Sequence, residues 1–210
     1  MNSIEEEKMF KIDMHVHTLL GGDSAIRPEE VVAQARRVGL DGVCITEHHS
    51  YDLSQPFVRI AQKQGFPIFR GLEYRAAEGH LLIYGVRAGK GDFPPGLPMQ
   101  TVMTWVERRG GVGVPAHPYQ PGMVGSALGD RVLQLKGLVA LETLNGSLPP
   151  EMNRLAQTAA LQLSVAGIGG SDAHGIQALG KAYTCFPAAF ASEAELVACL
   201  RAGDYFPCQI

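Results

Sequence analysis

Short apolar runs that alternate with longer helix-like stretches set the strongest limit on what this chain can fold into. Phe10 to Val16 alternates apolar and polar residues, and Pro28 then opens a helical stretch, with Glu29 and Glu30 in its first turn, that runs to Gly39. Gly42 to Thr46 is a second apolar run. The stretch from about Gln55 to Gln64 carries Phe57, Ile60 and Ala61 at helical spacing before Gly65-Phe66-Pro67 stops it. Pro67 to Glu73 and His80 to Val86 read as strands joined through Ala77-Glu78-Gly79 as a hairpin. Further strands are predicted at Val112 to Ala116, Leu138 to Leu144, Ser164 to Gly169 and Ala182 to Phe186. Helices are predicted over about Met99 to Arg109, Ala127 to Leu135, Glu151 to Leu163 and Ser192 to Ala202. Gly89 to Pro98, with three prolines and three glycines, is the flexible-looking segment.

Strands alternating with helices predict an α/β protein with a mostly parallel sheet and helices outside it. Seven or eight strand candidates in 210 residues fit a small or distorted barrel better than an open sheet with a switch point. No G-x-G-x-x-G follows the first strand, which argues against dinucleotide binding. The length, with 46% apolar and 19% charged residues, fits one compact domain over residues 1–210. At this size folding buries roughly 70% of the unfolded chain's surface, so neither disulfides nor a structural metal are needed for folding. A metal-ligand pattern in such a chain then calls for a functional explanation.

The formal charge is −3, with no Lys/Arg-rich tract, which argues against a binder of long nucleic acid acting by broad phosphate neutralisation. No apolar run approaches the roughly 20 residues that span a bilayer, and the start is acidic at Glu5, Glu6 and Glu7, so neither a membrane segment nor a signal peptide is expected. Cys44, Cys185, Cys199 and Cys208 form no C-x-x-C pair and read as reduced thiols of a cytoplasmic protein.

Each of the seven histidines lies at the end, or for His80 the start, of a predicted strand. In Asp13-Met14-His15-Val16-His17 the two-residue period of a strand puts Asp13, His15 and His17 on one face. Thr46-Glu47-His48-His49, Glu73, His117-Pro118 and Ser171-Asp172-Ala173-His174 add imidazole and carboxylate where a barrel's strand ends converge. Singly, each has an ordinary reading as a cap, a satisfied core histidine or a surface ion pair. Sharing one rim is what makes them informative. Imidazoles and carboxylates without a cysteine set suit Zn²⁺, Mn²⁺ or Fe²⁺, and eight or nine such groups call for two or three ions. Closely spaced ions suit phosphoester hydrolysis through a metal-activated hydroxide that attacks phosphorus in line.

Asp13-x-His15-x-His17, Thr46-Glu47-His48, Glu73, His80, His117-Pro118 and Asp172-Ala173-His174, in this order, resemble the motifs of the polymerase and histidinol phosphatase (PHP) superfamily over about residues 12–186. The resemblance implies a distorted seven-stranded α/β barrel and a trinuclear site of phosphoesterase type. By that resemblance His15, His17, Glu73 and Asp172 bind one metal; Glu73 bridges to a second held by His80 and His117; Asp23, His48 and His174 hold a third. Two features depart from the family's pattern: Asp23 lies six residues beyond His17 and follows Gly21-Gly22, and the second motif reads Glu-His-His.

Glu73, Asp172 and His49 are the expected catalytic residues, with His49 either assisting the leaving oxygen as a protonated imidazole or filling space. Asp13 and Glu47 are expected to orient ligands, Glu47 through His48. Arg75, two residues beyond Glu73, and Lys181 are the candidate phosphate holders. The substrate class expected is a small phosphomonoester. A nuclease acting on nucleotides or short oligonucleotides, an amidohydrolase, and a non-catalytic metal-binding module are the competing readings.

Overall fold

The computed structural model describes residues 9–121 and 128–210. The strands are β1 (Phe10–Val16), β2 (Gly42–Ile45), β3 (Ile68–Arg75), β4 (His80–Tyr84), β5 (Val112–Ala116), β6 (Ala140–Asn145), β7 (Ala166–Gly170), β8 (Ala182–Phe186) and β9 (Phe206–Gln209). The α-helices are α1 (Pro28–Arg37), α2 (Phe57–Gln64), α3 (Met99–Glu107), α4 (Pro150–Leu163) and α5 (Glu193–Ala202). Seven strands form one curled sheet in the order β5-β4-β3-β2-β1-β8-β9, and β6 and β7 form a parallel ribbon. The ribbon packs with β6 against β5 and β7 against β1, so it spans the open side of the curl. This is the α/β barrel-like class that the alternation of elements predicts.

Local sequence explains where the elements start and stop. Pro28 occupies the first turn of α1, where its missing N–H costs nothing. Ser192 caps α5 by accepting from the Glu195 amide, while the Glu195 carboxylate accepts from the Ser192 amide at 3.0 Å. Gly65 ends α2 and Gly203 ends α5 in the left-handed conformation. The barrel interior is filled by Ile12, Met14, Leu82, Tyr84, Val114 and Ile168, with the Tyr84 hydroxyl donating to the Met14 carbonyl at 2.7 Å. A second apolar layer, including Val31, Val32, Val43, Ile45 and Phe57, sits beneath α1 and α2.

Four local readings differ. The sheet is mixed: β4 runs antiparallel to β3 and β5, and β8 runs antiparallel to β1 and β9. The expected helix from Ala127 to Leu135 begins outside the described residues and is otherwise a short 3₁₀ helix, Gly129–Gln134, in which only Val132 is buried. So short a segment with one anchoring side chain cannot sustain an α-helix. The strand expected from Ser164 starts at Ala166 because Ser164, at φ 55°, still terminates α4. β9 has no counterpart in the sequence reading; its Pro207 lowers strand propensity and is tolerated because β9 is an edge strand.

Gly169 and Gly170 bring β7 close to its neighbours. A β-carbon at Gly169 would run into the Tyr183 carbonyl oxygen, and one at Gly170 would strike the His15 β-carbon. Gly169→Ala is therefore expected to destabilise the fold by about 1–3 kcal/mol through overpacking against backbone. Gly91→Ala, where nothing lies within 4 Å, should be near neutral. Urea unfolding of both variants checks the contrast.

Candidate metal centre

Strand direction gathers the polar residues on one rim. β1, β2 and β3 are parallel, and two successive antiparallel pairings return β5 to the direction of β3. The ends of β1, β2, β3 and β5 and the start of β4 therefore lie at the same end, which is why His80 opens its strand. The loop after β7 joins this rim through the Asp172 amide donating to the His15 carbonyl at 2.8 Å and the His17 amide donating to the Ala173 carbonyl at 3.2 Å. Among the described residues, four that are not glycine have positive φ, and three of them, His49, His117 and Asp172, stand on this rim. Such conformations cost of order 1–3 kcal/mol each and persist where the surroundings enforce them.

Glu73 is the hub. Its Oε2 lies 3.2 Å from His17 Nε2, 3.5 Å from His15 Nε2 and 3.2 Å from His48 Nδ1. Its Oε1 lies 2.8 Å from His80 Nδ1 and 3.0 Å from His117 Nε2. Asp172 Oδ1 is 3.5 Å from both His15 Nε2 and His17 Nε2, and its Oδ2 is 3.9 Å from His117 Nε2. Asp23 Oδ2 lies 3.0 Å from His48 Nε2 and 3.3 Å from His174 Nε2. His15 and His17 are wholly buried, whereas the side chains of Asp23 and His174 are 37% and 41% exposed, so this last group forms the mouth of the centre.

These groups fit divalent cations better than they fit one another. In a tetrahedral zinc site with bonds of 2.0–2.1 Å, ligand atoms lie about 3.3 Å apart, the spacing found here. His15 Nε2 and His17 Nε2 face each other at 3.0 Å. His17 Nδ1 and His80 Nδ1 are buried without a hydrogen-bond partner, although His80 Nδ1 is 2.8 Å from Glu73 Oε1. That pair is close but misdirected for a hydrogen bond, as two donors aimed at a common third point would be. Four overlapping sets have ligand atoms mutually within 4.8 Å: His15, His17 and Glu73; His15, His117 and Asp172; Glu73, His80 and His117; and His17, Asp23, His48 and His174. All nine candidate ligands are in them, and the donors are nitrogen and oxygen only, a set that suits divalent transition metals.

Charge is finely balanced. Burial alone would depress His15, but Asp172, Glu142 and Glu73 outweigh it and hold its pKa well above 6.5. His117 is likewise raised, against its burial, by Glu73. Burial would raise Glu73 and Asp172, yet the imidazoles around them, His15 first, lower both. His48 is lowered by burial, and so is His49, with Lys90 adding to the effect. A lowered His49 is neutral at pH 7, which weighs against a protonated imidazole donating to a leaving oxygen.

Around the ligands lies a layer that the sequence reading found only in part. Glu142, on β6, is buried; its Oε1 is 2.9 Å from His15 Nδ1 and its Oε2 accepts from the His117 amide at 2.6 Å. Asn145 donates to Glu142 Oε2 at 3.2 Å and to Asp172 Oδ2 at 3.3 Å. The sequence reading singles out neither residue; the available signal is an acid and an amide, with Thr143, in the fully buried Ala140–Asn145 strand. Asp13 touches no imidazole. It accepts from the amides of His15, Ser171 and Gly180, anchoring the loop that carries Asp172, and burial raises its pKa to about 6.

Glu47 does not orient His48. Successive residues of an extended chain face opposite ways, and Glu47 instead accepts from the Thr18 amide at 3.1 Å and from the Thr18 hydroxyl, steadying the start of the segment that carries Asp23. His49 Nδ1 is buried without a partner, and its ring meets Tyr74 edge-on at 6.1 Å. Arg75 is exposed on the rim, in register with His80. Lys181 is not brought to the cluster: Ala182 turns inward, Lys181 turns to solvent, and it lines a separate cavity of about 800 Å³ with Arg154, Gln177 and Cys208.

A curled α/β sheet with buried histidines and acids converging at its strand ends defines a barrel-like protein with a candidate metal-binding centre. Residues 13–114 match the PHP domain and residues 150–205 match the PHP-associated model. The chain belongs to the PHP family. It is 27% identical over 135 residues to an uncharacterized protein of Methanocaldococcus jannaschii, covering 60% of this chain and 76% of that one. A two-domain protein of Bacteroides vulgatus, described as containing a predicted PHP-like metal-dependent phosphoesterase, is similar with a TM-score of 0.69 at 19% identity, over 99% of this chain and 67% of that one. An amidohydrolase from Chromobacterium violaceum gives a TM-score of 0.61 at 18% identity, over 78% of this chain and 87% of that one. The candidate ligands come from both matched segments, except His117, which lies between them.

Two outcomes test the centre. Glu142→Ala, which leaves His15 without its carboxylate partner, should lower affinity for divalent metal about 10–100-fold, read by competition with a chelator. Because the surrounding carboxylates raise His15 and His117 against their burial, so that each keeps its proton to a higher pH than a free imidazole, metal loading near neutral pH should expel protons, and affinity should weaken as the pH falls. Calorimetry in buffers of different ionisation heat measures the release; proton-neutral binding would contradict it.

Proposed function

We propose that the centre hydrolyses small phosphomonoesters. The observation that carries this reading is the division of Glu73: one carboxylate oxygen faces His15, His17 and His48, and the other faces His80 and His117. A carboxylate divided in this way would serve a cation on each of its two sides. Two or three bound Mn²⁺, Fe²⁺ or Zn²⁺ ions would supply an acidified water and offset the negative charge of a phosphoryl group.

The chain's own residues do the rest. Asp172 and Glu73 are held ionised by their imidazole neighbours, so both are ready to ligate near neutral pH. Glu142 fixes the His15 ring from behind and leaves Nε2 free for the centre. Burial of His15, His17 and Glu73 excludes water on the inner side, and substrate approaches over the exposed Asp23–His48–His174 mouth. Arg75, exposed at the end of the strand that carries Glu73, is placed to meet a phosphate oxygen by a charge-assisted hydrogen bond. A net charge of −3 with no basic tract supports a small substrate over a long polynucleotide. Among the described residues no helix is long and apolar enough to cross a membrane, and cytoplasmic residence is part of the proposal.

A metal-by-substrate screen decides. Metal-loaded protein should turn over phosphomonoesters and should be weak or inactive on short RNA, amides and lactones. Glu73→Ala should lose activity and metal together. Arg75→Ala should raise KM about tenfold, the equivalent of one charge-assisted contact, with metal content unchanged. Turnover confined to diesters or amides, or a Glu73→Ala variant as active as the parent, would overturn the assignment.

A further inference from the structure

We propose that Cys185 and Cys208 are a thiol pair that closes to an intramolecular disulfide on exposure to a small-molecule disulfide, fastening the C-terminal strand to the sheet. Their Sγ atoms lie 2.7 Å apart. Closing to the roughly 2.05 Å of a disulfide requires movement of a fraction of an ångström. The strand register explains the approach: β8 and β9 pair Tyr183 with Cys208 and Cys185 with Phe206, so the cysteines are diagonal neighbours on one face. The other two thiols have different settings. Cys44 is buried with its Sγ 3.7 Å from Met14 Sδ, and Cys199 lies on α5.

The location gives the bond a consequence. β9 is the edge of the seven-stranded sheet, half-exposed along its length, and Pro207 within it has no N–H to give to the ladder. β9 nevertheless packs on β7 and β6 as well as β8, so it laces the curled sheet to the ribbon. A bond from Cys185 to Cys208 would enclose α5 and the chain on either side of it, removing freedom chiefly from the unfolded state.

The exchange balances with glutathione disulfide as oxidant. Cys208, which is partly exposed and lines the 800 Å³ cavity, attacks first as its thiolate. The glutathione S–S bond breaks, one glutathione thiolate leaves and takes up a proton, and a mixed disulfide remains on Cys208. Cys185 then yields its proton to water, attacks the Cys208 sulfur and releases the second glutathione. Two protein thiols lose two electrons and two protons, and one glutathione disulfide becomes two thiols.

The test uses the whole 210-residue chain equilibrated with reduced glutathione or with glutathione disulfide, then denatured and alkylated. Four alkylated cysteines are expected under reduction and two after oxidation, with a tryptic fragment linking Cys185 to Cys208 and no retained glutathione. The oxidised protein should melt about 5–10 °C higher than the reduced protein. Cys208→Ser should keep its melting temperature unchanged across the same buffers. Four free thiols after oxidation, glutathione adducts without the linked fragment, or a linkage that leaves the melting temperature unmoved would overturn the proposal.

Discussion

The convergence of imidazoles on the Glu73 carboxylate is the interaction on which the rest of the molecule depends. A buried ionised carboxylate without partners would be driven to protonate, because its desolvation is worth several pKa units. Here five imidazoles surround its two oxygens at 2.8–3.5 Å, and the acid is held well below its ordinary range. The compensation is reciprocal, since the same carboxylate, with Asp172 and Glu142, keeps His15 protonated against its burial. Removing a member leaves an unbalanced charge in a dry pocket, so the cluster is an electrostatic unit and not a sum of pairs. Divalent cations can replace the protons without moving the ligands far, because ligand spacings already match those of a metal polyhedron.

The fold serves this unit through direction more than through packing. A purely parallel barrel would bring strand ends alone to the rim. The inversion of β4 lets a strand's first residue, His80, stand beside the last residues of its neighbours. The glycines at 169 and 170 do complementary work: they let β7 approach β8 and β1 so closely that the loop after it delivers Asp172 to His15. Asp13 secures that delivery by binding amides on both sides of the loop. A ligand from the late part of the chain is thus held to the first strand by backbone hydrogen bonds, not by metal alone.

Much of this was legible in the amino-acid order, for identifiable reasons. Eight of the nine candidate ligand positions stand out because imidazole and carboxylate at strand ends are chemically conspicuous, and the two-residue strand period places His15 with His17; Asp23, in a turn beyond the first strand, is indicated only by the family resemblance. Glu142 was invisible because it has no histidine near it in sequence; only the fold sets it behind His15. Glu47 was assigned to the wrong neighbour because adjacency in sequence suggests contact, whereas an extended backbone turns adjacent side chains apart. Lys181 carried no sign of which face it would take. β9 was missed because a four-residue edge strand containing proline has neither the length nor the pattern of a strand.

The spread of the ligands along the chain has a thermodynamic corollary. His15 comes from the first strand and His17 from just beyond its end, Glu73 and His80 from the central hairpin, and Asp172 and His174 from the loop after β7. No partially folded state that lacks either end of the chain contains a complete inner set, so cation binding acts on the whole native state and stabilises it by mass action. The segment that carries Asp23 is tied into the same fold: Ile26 is fully buried beneath α1, the Ser24 hydroxyl donates to the His17 carbonyl at 3.0 Å, and the Ala25 amide donates to the His174 carbonyl at 2.9 Å, so the more exposed set of Asp23, His48 and His174 also joins the first strand to the loop after β7.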